Sequence, residues 1–131
     1  MKENMSRISM GLGGEMLGQL MTLSDHSGHQ HIVGPWGGTG GTFRVTIKFG
    51  EEEFLTEISG KFGPYSCSQS DVITSLTFIT NQEKHGPFGL IGKDAGDPFC
   101  IKLESNWAVV GFFARAERFI HAIGIYARPN R

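Results

Sequence analysis

A short apolar pattern that recurs along the chain is the sequence feature that most limits the fold. Two bulky apolar residues, two free positions and a third apolar residue occur together four times. The copies are Met16-Leu17-x-x-Leu20, Phe54-Leu55-x-x-Ile58, Val72-Ile73-x-x-Leu76 and Phe119-Ile120-x-x-Ile123. The segment Gly34-Pro35-Trp36-Gly37 is echoed by Gly86-Pro87-Phe88-Gly89. Repeated sheet units around one core predict a pseudo-symmetric barrel, propeller or prism.

The segments that carry this repeat have the patterning of β-strands. Phe43, Val45, Ile47 and Phe49 alternate with polar residues, which is the period of a half-buried strand. The breaks between such runs are clusters of glycine, proline, asparagine and aspartate, and the 19 glycines supply many tight turns. Only residues 110–123 could be mistaken for a helix, and Gly111 and the β-branched residues predict two strands and a loop there. The sequence therefore predicts an all-β fold.

Size and charge exclude several classes of protein. The 131 residues fit one domain, and the net charge of −1 gives no electrostatic basis for binding nucleic acid or an anionic membrane. No apolar run approaches the ~18 residues that a membrane-spanning helix requires. The two cysteines, Cys67 and Cys100, form no disulfide framework, so we expect a reducing compartment, the cytoplasm with the nucleus as an alternative.

Five motifs together resemble the jacalin-related lectins, and most closely their mannose-type members from grasses. The motifs are IVGPWGGTGG, EEFLTEISGKFGP, DVITSLTFITN, HGPFG and VVGFFARAERFIHAIGIYARP. The resemblance covers residues 14–131, whereas residues 1–13 are polar, rich in methionine and interpreted as a loose leader. It implies a β-prism of three Greek-key sheets with pseudo-threefold symmetry and is compatible with a homodimer. Relative to the family pattern, the chain before Gly14 is shorter by about two strands, so we expect the first strands to be missing.

The resemblance also implies a sugar site. Members of the family bind mannose- or glucose-type glycans where a G-x-x-x-D loop faces a Gly-Gly loop. The aspartate accepts hydrogen bonds from sugar hydroxyls, and backbone N–H groups of the same loop donate to the sugar. The corresponding loop here is Glu117-Arg118-Phe119-Ile120-His121, in which Glu117 replaces the glycine and His121 the aspartate. We expect Arg118 and Phe119 to offer backbone N–H groups and His121 to replace the carboxylate as acceptor.

A second site of the family would lie on another face. It would pair Gly14 and Gly18 with Gly37 and Gly38, and there Gly18 stands in place of the aspartate. The corresponding positions in the other repeats are Thr56 and Thr74, so no repeat keeps the carboxylate. The sequence therefore predicts a lectin whose sugar site is weakened.

Other chemistry receives less support from the sequence. Asp25, His26, His29 and His31 resemble a metal site, but a polar hairpin explains them as well, so we expect no metal and no cofactor. No nucleophile motif accompanies any histidine, so we expect no enzyme activity. The aromatic residues Trp36 and Trp107 are interpreted as structural anchors rather than sugar-stacking groups. The rival hypothesis is a degenerate β-prism that serves as a protein-interaction or self-association module.

Overall fold

Ten strands make up the part of the chain that the structure describes. The structure, a computed structural model, describes residues 5–13, 16–25, 33–37, 43–50, 52–64, 71–89, 96–116 and 120–129. The strands are β1 (Met5–Gly13), β2 (Met16–Asp25), β3 (Val33–Gly37), β4 (Phe43–Lys48), β5 (Leu55–Gly63), β6 (Val72–Thr80), β7 (Lys84–Gly89), β8 (Asp97–Lys102), β9 (Trp107–Ala116) and β10 (Ile120–Pro129). Residues 107–129 are thus two strands joined by a short connection, which confirms the interpretation of that segment. Within the described ranges there is no helix of a length and hydropathy suited to crossing a membrane.

The strands form three sheets, two of which have the same strand order. Sheet A runs β3-β2-β1-β4 and sheet B runs β7-β6-β5-β8. In both, the spatial order is third, second, first and fourth strand, and every pair is antiparallel. Sheet C contains β10 and β9 alone among the described strands. Two four-stranded sheets of the same strand order and a third sheet agree with the predicted prism, and the expectation that first strands are missing stays a prediction.

Strand β1 corrects the prediction of a loose leader over residues 1–13. Residues 5–13 form an inner strand of sheet A, paired with β2 on one side and β4 on the other. Ile8 is fully buried and lies opposite Ile47 of β4. The apolar residues at positions 8, 10 and 12 alternate with Arg7, Ser9 and Gly11, which is a strand period that the methionines obscure. The leader prediction is therefore wrong for residues 5–13.

One hydrophobic core is shared by all three sheets. Its buried members are Ile8, Ile47, Phe49, Leu55, Ile58, Ile73, Leu76, Phe78, Val109, Phe112 and Ile120. The rings of Phe78 in sheet B and Phe112 in sheet C meet edge to face, with their centroids 6.1 Å apart. Such aromatic pairs contribute about 0.5–1.5 kcal/mol beyond the area that they bury. Packing across this core holds the two-stranded sheet C against the two larger sheets.

Gly89 offers a test of this arrangement. Its φ is +107°, and a Cβ at this position would clash with the carbonyl oxygen of Thr74 in the neighbouring strand. We expect Gly89→Ala to lower the free energy of unfolding by about 1–3 kcal/mol, because the left-handed backbone and the close approach both disfavour a side chain. Gly111→Ala is the matched control, since a Cβ there comes no closer than 3.5 Å to its nearest neighbour, the Tyr126 ring. Urea denaturation of both variants measures the difference, and equal stabilities would contradict the register of β6 and β7.

Candidate functional site at the bulged strands

A β-bulge interrupts the second strand of each sheet at an equivalent position. In sheet A the extra residue is Gly18, because Leu17 and Gln19 pair with consecutive residues of β1. The corresponding extra residue is Thr74 in sheet B and His121 in sheet C. We call these three the bulged residues. A bulge bends its strand and redirects the side chain of the extra residue, which is why bulges often occur next to functional sites.

The bulged residues occupy the position that the sequence resemblance assigns to the sugar-binding aspartate. The apolar pair of the repeat, such as Val72-Ile73, immediately precedes each bulge, so the recurring sequence pattern marks a recurring backbone irregularity. The fourth copy of the pattern, in β5, also precedes a bulge, at Thr56. Thr74 is fully buried. Since no bulged residue is acidic, none of these positions offers a carboxylate to a ligand.

A glycine from the third strand lies beside the bulge in sheets A and B. Gln19, which follows the first bulge, pairs with Gly37 at the end of β3. In the same way Ser75 pairs with Gly89 of β7, and the Gly89 backbone approaches the carbonyl of Thr74. Among the described strands, β10 has no such third-strand neighbour beside His121. A glycine of a third strand thus lies beside the bulge of Gly18, and the described strands include no such neighbour for His121.

The structure separates the predicted site residues into two groups. His121 lies in β10, one residue after the buried Ile120, and the backbone is described there. Glu117, Arg118 and Phe119 connect β9 to β10 and lie outside the described residues. Gly37 ends β3 in sheet A, and Gly38 lies outside the described residues. Of the predicted site residues that the structure describes, His121 belongs to sheet C and Gly37 to sheet A, and their roles in sugar binding stay predictions.

Comparison with known proteins agrees with this architecture. The family model described as "Jacalin-like lectin domain" matches residues 1–126. The chain belongs to the jacalin-like lectin family. Because the match begins at residue 1, it includes β1 in the lectin domain, in agreement with the pairing of that strand.

The chain is similar to several plant lectins, some of which are named for sugar binding. A mannose/glucose-specific lectin from Parkia pendula is 38% identical over 118 residues, which are 86% of this chain and 25% of that protein. Horcolin from barley is 40% identical over 101 residues, 76% of this chain and 65% of that protein. The chain thus spans a quarter of the first relative and just under two thirds of the second. The solved structure of a mannose-binding jacalin-related lectin from Ananas comosus matches with a TM-score of 0.81 and 31% identity, covering 96% of this chain and 83% of that one.

The other residues discussed in the sequence analysis lie apart from the bulges or outside the described chain. Asp25 ends β2, whereas His26, His29 and His31 lie outside the described residues. Trp36 pairs with Leu20 as Phe88 pairs with Leu76, and its interpretation as a structural anchor stays a prediction. Trp107 is 40% exposed at the start of β9, so it does not serve as a buried anchor.

A buried carboxylate in sheet B was not recognised from the sequence. Glu53 follows two other glutamates, Glu51 and Glu52, a run that is typical of an exposed turn, yet it is only 3% exposed. Its Oε1 accepts a hydrogen bond from the Gly50 amide at 2.8 Å, and its Oε2 accepts one from the Thr80 hydroxyl at 2.6 Å. The Nε2 atom of His85 lies 3.1 Å from Oε2. These contacts tie the turn before β5 to the β6–β7 hairpin.

The same group is the one set of potential metal ligands among the described residues. Glu53, Glu83 and His85 each place a ligand atom within 4.8 Å of the others. Both oxygens of Glu53 already accept hydrogen bonds from the protein, so this buried carboxylate is satisfied without an ion. We interpret it as a structural network of the lectin fold.

Titration of Glu53 should change the stability of the fold. Burial raises the pKa of this carboxyl, but hydrogen bonds from Thr80 and Gly50 and the nearby His85 more than offset it, so the pKa is lowered. A lowered folded-state pKa means that the carboxylate stabilises the fold above its ordinary pKa, and that this contribution is lost as pH falls through the lowered value.

We therefore expect Glu53→Gln to destabilise the protein by about 1–3 kcal/mol at neutral pH, because it leaves buried hydrogen-bond donors poorly matched. The difference from the wild type should narrow as the pH falls below the ordinary value of 4.5. The control is Glu52→Gln, since Glu52 is exposed. Thermal melts at a series of pH values measure both variants. A Glu53→Gln effect that is equal at all pH values would contradict the network.

Proposed function

We propose that the chain is a carbohydrate-binding lectin module for mannose- or glucose-type glycans, with no catalytic step. The observation that carries this proposal is the bulge at His121, which lies where the family resemblance assigns the sugar-binding residue. Support also comes from relatives that are named for binding mannose or for mannose/glucose specificity.

In this proposal the sugar lies against the connection between β9 and β10. Arg118 and Phe119 donate hydrogen bonds from their backbone N–H groups to the sugar ring and its hydroxyls. Neutral His121 accepts a hydrogen bond from one hydroxyl through its unprotonated ring nitrogen. Glu117 stands where the family has glycine, so its side chain and charge restrict the approach of the sugar to the loop backbone.

The expected affinity is low for a physical reason. A hydrogen bond to a charged group contributes about 1.5–3 kcal/mol, and a site with a Kd of about 1 mM has only about −4 kcal/mol in total. Replacing the aspartate by histidine therefore removes a large share of the binding energy of a monosaccharide.

The second candidate function is a protein-interaction or self-association module without sugar binding. The observation that favours it is the two-stranded sheet C, whose edges have no described strand partner. A homodimer is compatible with both candidates, and we propose one. We also propose a cytoplasmic or nuclear location, which the free, exposed thiol of Cys100 supports.

Restoring the family residues at the loop tests the sugar site. We expect little or no heat when the wild type is titrated calorimetrically with methyl mannoside, and measurable binding by the double variant His121→Asp with Glu117→Gly. The aspartate returns a charged acceptor at the bulge, and the glycine opens the loop backbone. Gly18→Asp is the matched variant, because it places a carboxylate at the equivalent bulge of sheet A, beside Gly37. Binding gained by Gly18→Asp alone would locate the sugar on the second face.

The pH dependence of binding to a mannose oligomer identifies the role of His121. Protonation makes both ring nitrogens donors, so binding through His121 should fade below about pH 6. The control is His85→Gln, which removes a histidine of sheet B and should leave this pH dependence unchanged. Tight mannose binding by the wild type that does not vary with pH would contradict the assignment to His121.

A further inference from the structure

The outer face of sheet B carries a groove that crosses all four strands of the sheet. Residues of β5 and β6 form its floor, and Pro87 of β7 and Pro98 of β8 lie at its two sides. The groove has a volume of about 510 Å³, which is within the range of about 300–1000 Å³ typical of small-ligand sites. It lies on a different sheet from His121 and takes no part in the proposed sugar site.

Hydroxyl side chains form the floor of this groove. Leu76 and Phe78 of β6 belong to the core, so Ser75 and Thr77 project from the opposite face of the sheet. Thr77 pairs with Ser59 of β5, and the Cβ atoms of such a pair lie about 4.5–5.5 Å apart. Two residues along a strand correspond to about 7 Å, which separates Ser75 from Thr77. The sheet therefore holds three hydroxyl groups at fixed spacings.

Two of these hydroxyls belong to nearly buried residues and have no partner in the protein. Ser75 and Thr77 are each 5% exposed. Within the described residues no hydrogen bond engages either hydroxyl, and no polar side-chain atom is both fully buried and unsatisfied, so both hydroxyls open into the groove. The hydroxyls of Thr56 and Thr80 in the same sheet, by contrast, donate to a backbone carbonyl and to Glu53. Nearly buried hydroxyls without a partner favour a ligand that supplies hydrogen bonds.

The charges around the groove favour a neutral ligand. Lys61 is the single charged residue of the lining, and it already has an interaction partner in the protein. The carboxylate of Glu57, beside the groove, accepts a hydrogen bond from the Cys100 thiol at 3.3 Å. Because the lining contains no carboxylate, it offers no set of ligands for a hard metal ion.

The hydroxyl floor also distinguishes between an apolar ring and a hydroxylated one. An apolar ring would displace water from the floor without replacing its hydrogen bonds, which is unfavourable. A ring that carries several hydroxyls replaces those bonds, since a hydroxyl both donates and accepts. The C–H groups of such a ring can at the same time pack against Pro87 and Pro98 at the sides of the groove.

We propose that this groove binds one pyranose residue of a neutral glycan, as a carbohydrate site separate from the bulge at His121. The choice of a glycan as the occupant rests on the proposed lectin function, whereas the shape and the hydroxyl floor of the groove do not depend on it. Two sites on one molecule bind a long or branched glycan more tightly than either site alone, provided that the glycan reaches both.

Titration with a mannose oligomer, followed residue by residue through amide NMR shifts, tests the groove. We expect the amides of residues 59–61 and 75–77 to shift with oligomer concentration. Thr77→Val removes one hydroxyl with little change of shape, so it should weaken binding at these amides by about three- to tenfold, the contribution of one hydrogen bond. Ser59→Ala should act in the same direction. Thr46→Val, the same change at an exposed position of sheet A, is the matched control and should leave the shifts unchanged.

The same titration separates this inference from the proposed site at His121. Shifts in the groove without shifts in β10 would overturn the site at His121 and support the groove. Shifts confined to β10, or groove shifts that Thr77→Val and Ser59→Ala leave unchanged, would overturn the groove. If neither region shifts, both fail. Tighter binding of a neutral phenol than of the oligomer at the same amides would overturn the choice of a glycan.

Alkylation of Cys100 supplies a readout that needs no variant. Cys100 lines the groove and its thiol is free and exposed. A bound oligomer should therefore slow the reaction of Cys100 with iodoacetamide, and mass spectrometry of the peptides separates this thiol from that of Cys67. A Cys100 reaction rate that stays the same at saturating oligomer would contradict binding in the groove.

Discussion

Burial of one face of each sheet on a common axis is the constraint on which this structure depends. No single sheet can remove its apolar face from water, and the core takes members from all three, among them Ile8, Leu76 and Phe112. Losing a buried phenylalanine side chain from such a core typically costs about 3–5 kcal/mol. Sheet C takes part in this packing through Val109, Phe112 and Ile120. Two-stranded ribbons alone are at best marginally stable in water.

The bulges explain how one repeated architecture can place loops with different chemistry at equivalent points. In each sheet the second strand has a bulge at the equivalent position, which is Gly18 in sheet A, Thr74 in sheet B and His121 in sheet C. The packing of the strand does not depend on which residue stands at the bulge, because the apolar residue before it still faces the core, as the fully buried Ile120 does. The residue at the bulge can therefore vary while the prism remains intact. This is the physical reason why a chain can keep the lectin fold and lack the carboxylate.

Sheet C differs from sheets A and B in the number of its described strands and in the burial of its residues. Sheet C carries the bulge at His121 and contains two strands among the described residues, against four in sheet A and four in sheet B. Ile123 and Ile125 pack against the core but remain only partly buried. In β6, the equivalent strand of sheet B, residues 72–78 are all buried because strands lie on both sides. The number of strands in a sheet thus affects both the burial of the core and the surroundings of the bulge.

Local patterning in the sequence was sufficient to predict the all-β fold, the two strands in place of a helix over residues 110–123 and the four copies of the apolar pattern. Alternation and turn residues act over a few positions, so they can be read directly from the sequence, as Ile47 and Phe49 in the core illustrate. The family resemblance added the prism and the candidate loop.

Strand β1 was not predicted, because its apolar residues alternate over only three positions and glycines interrupt the pattern. The strand becomes evident only from the pairing of Ile8 with Ile47. Glu53 was missed for a related reason: Thr80 and His85, which make its burial tolerable, are distant in sequence. The bulges and the glycine beside each of the first two were decided by tertiary structure alone, because pairing between distant strands determines which residue is left without a partner.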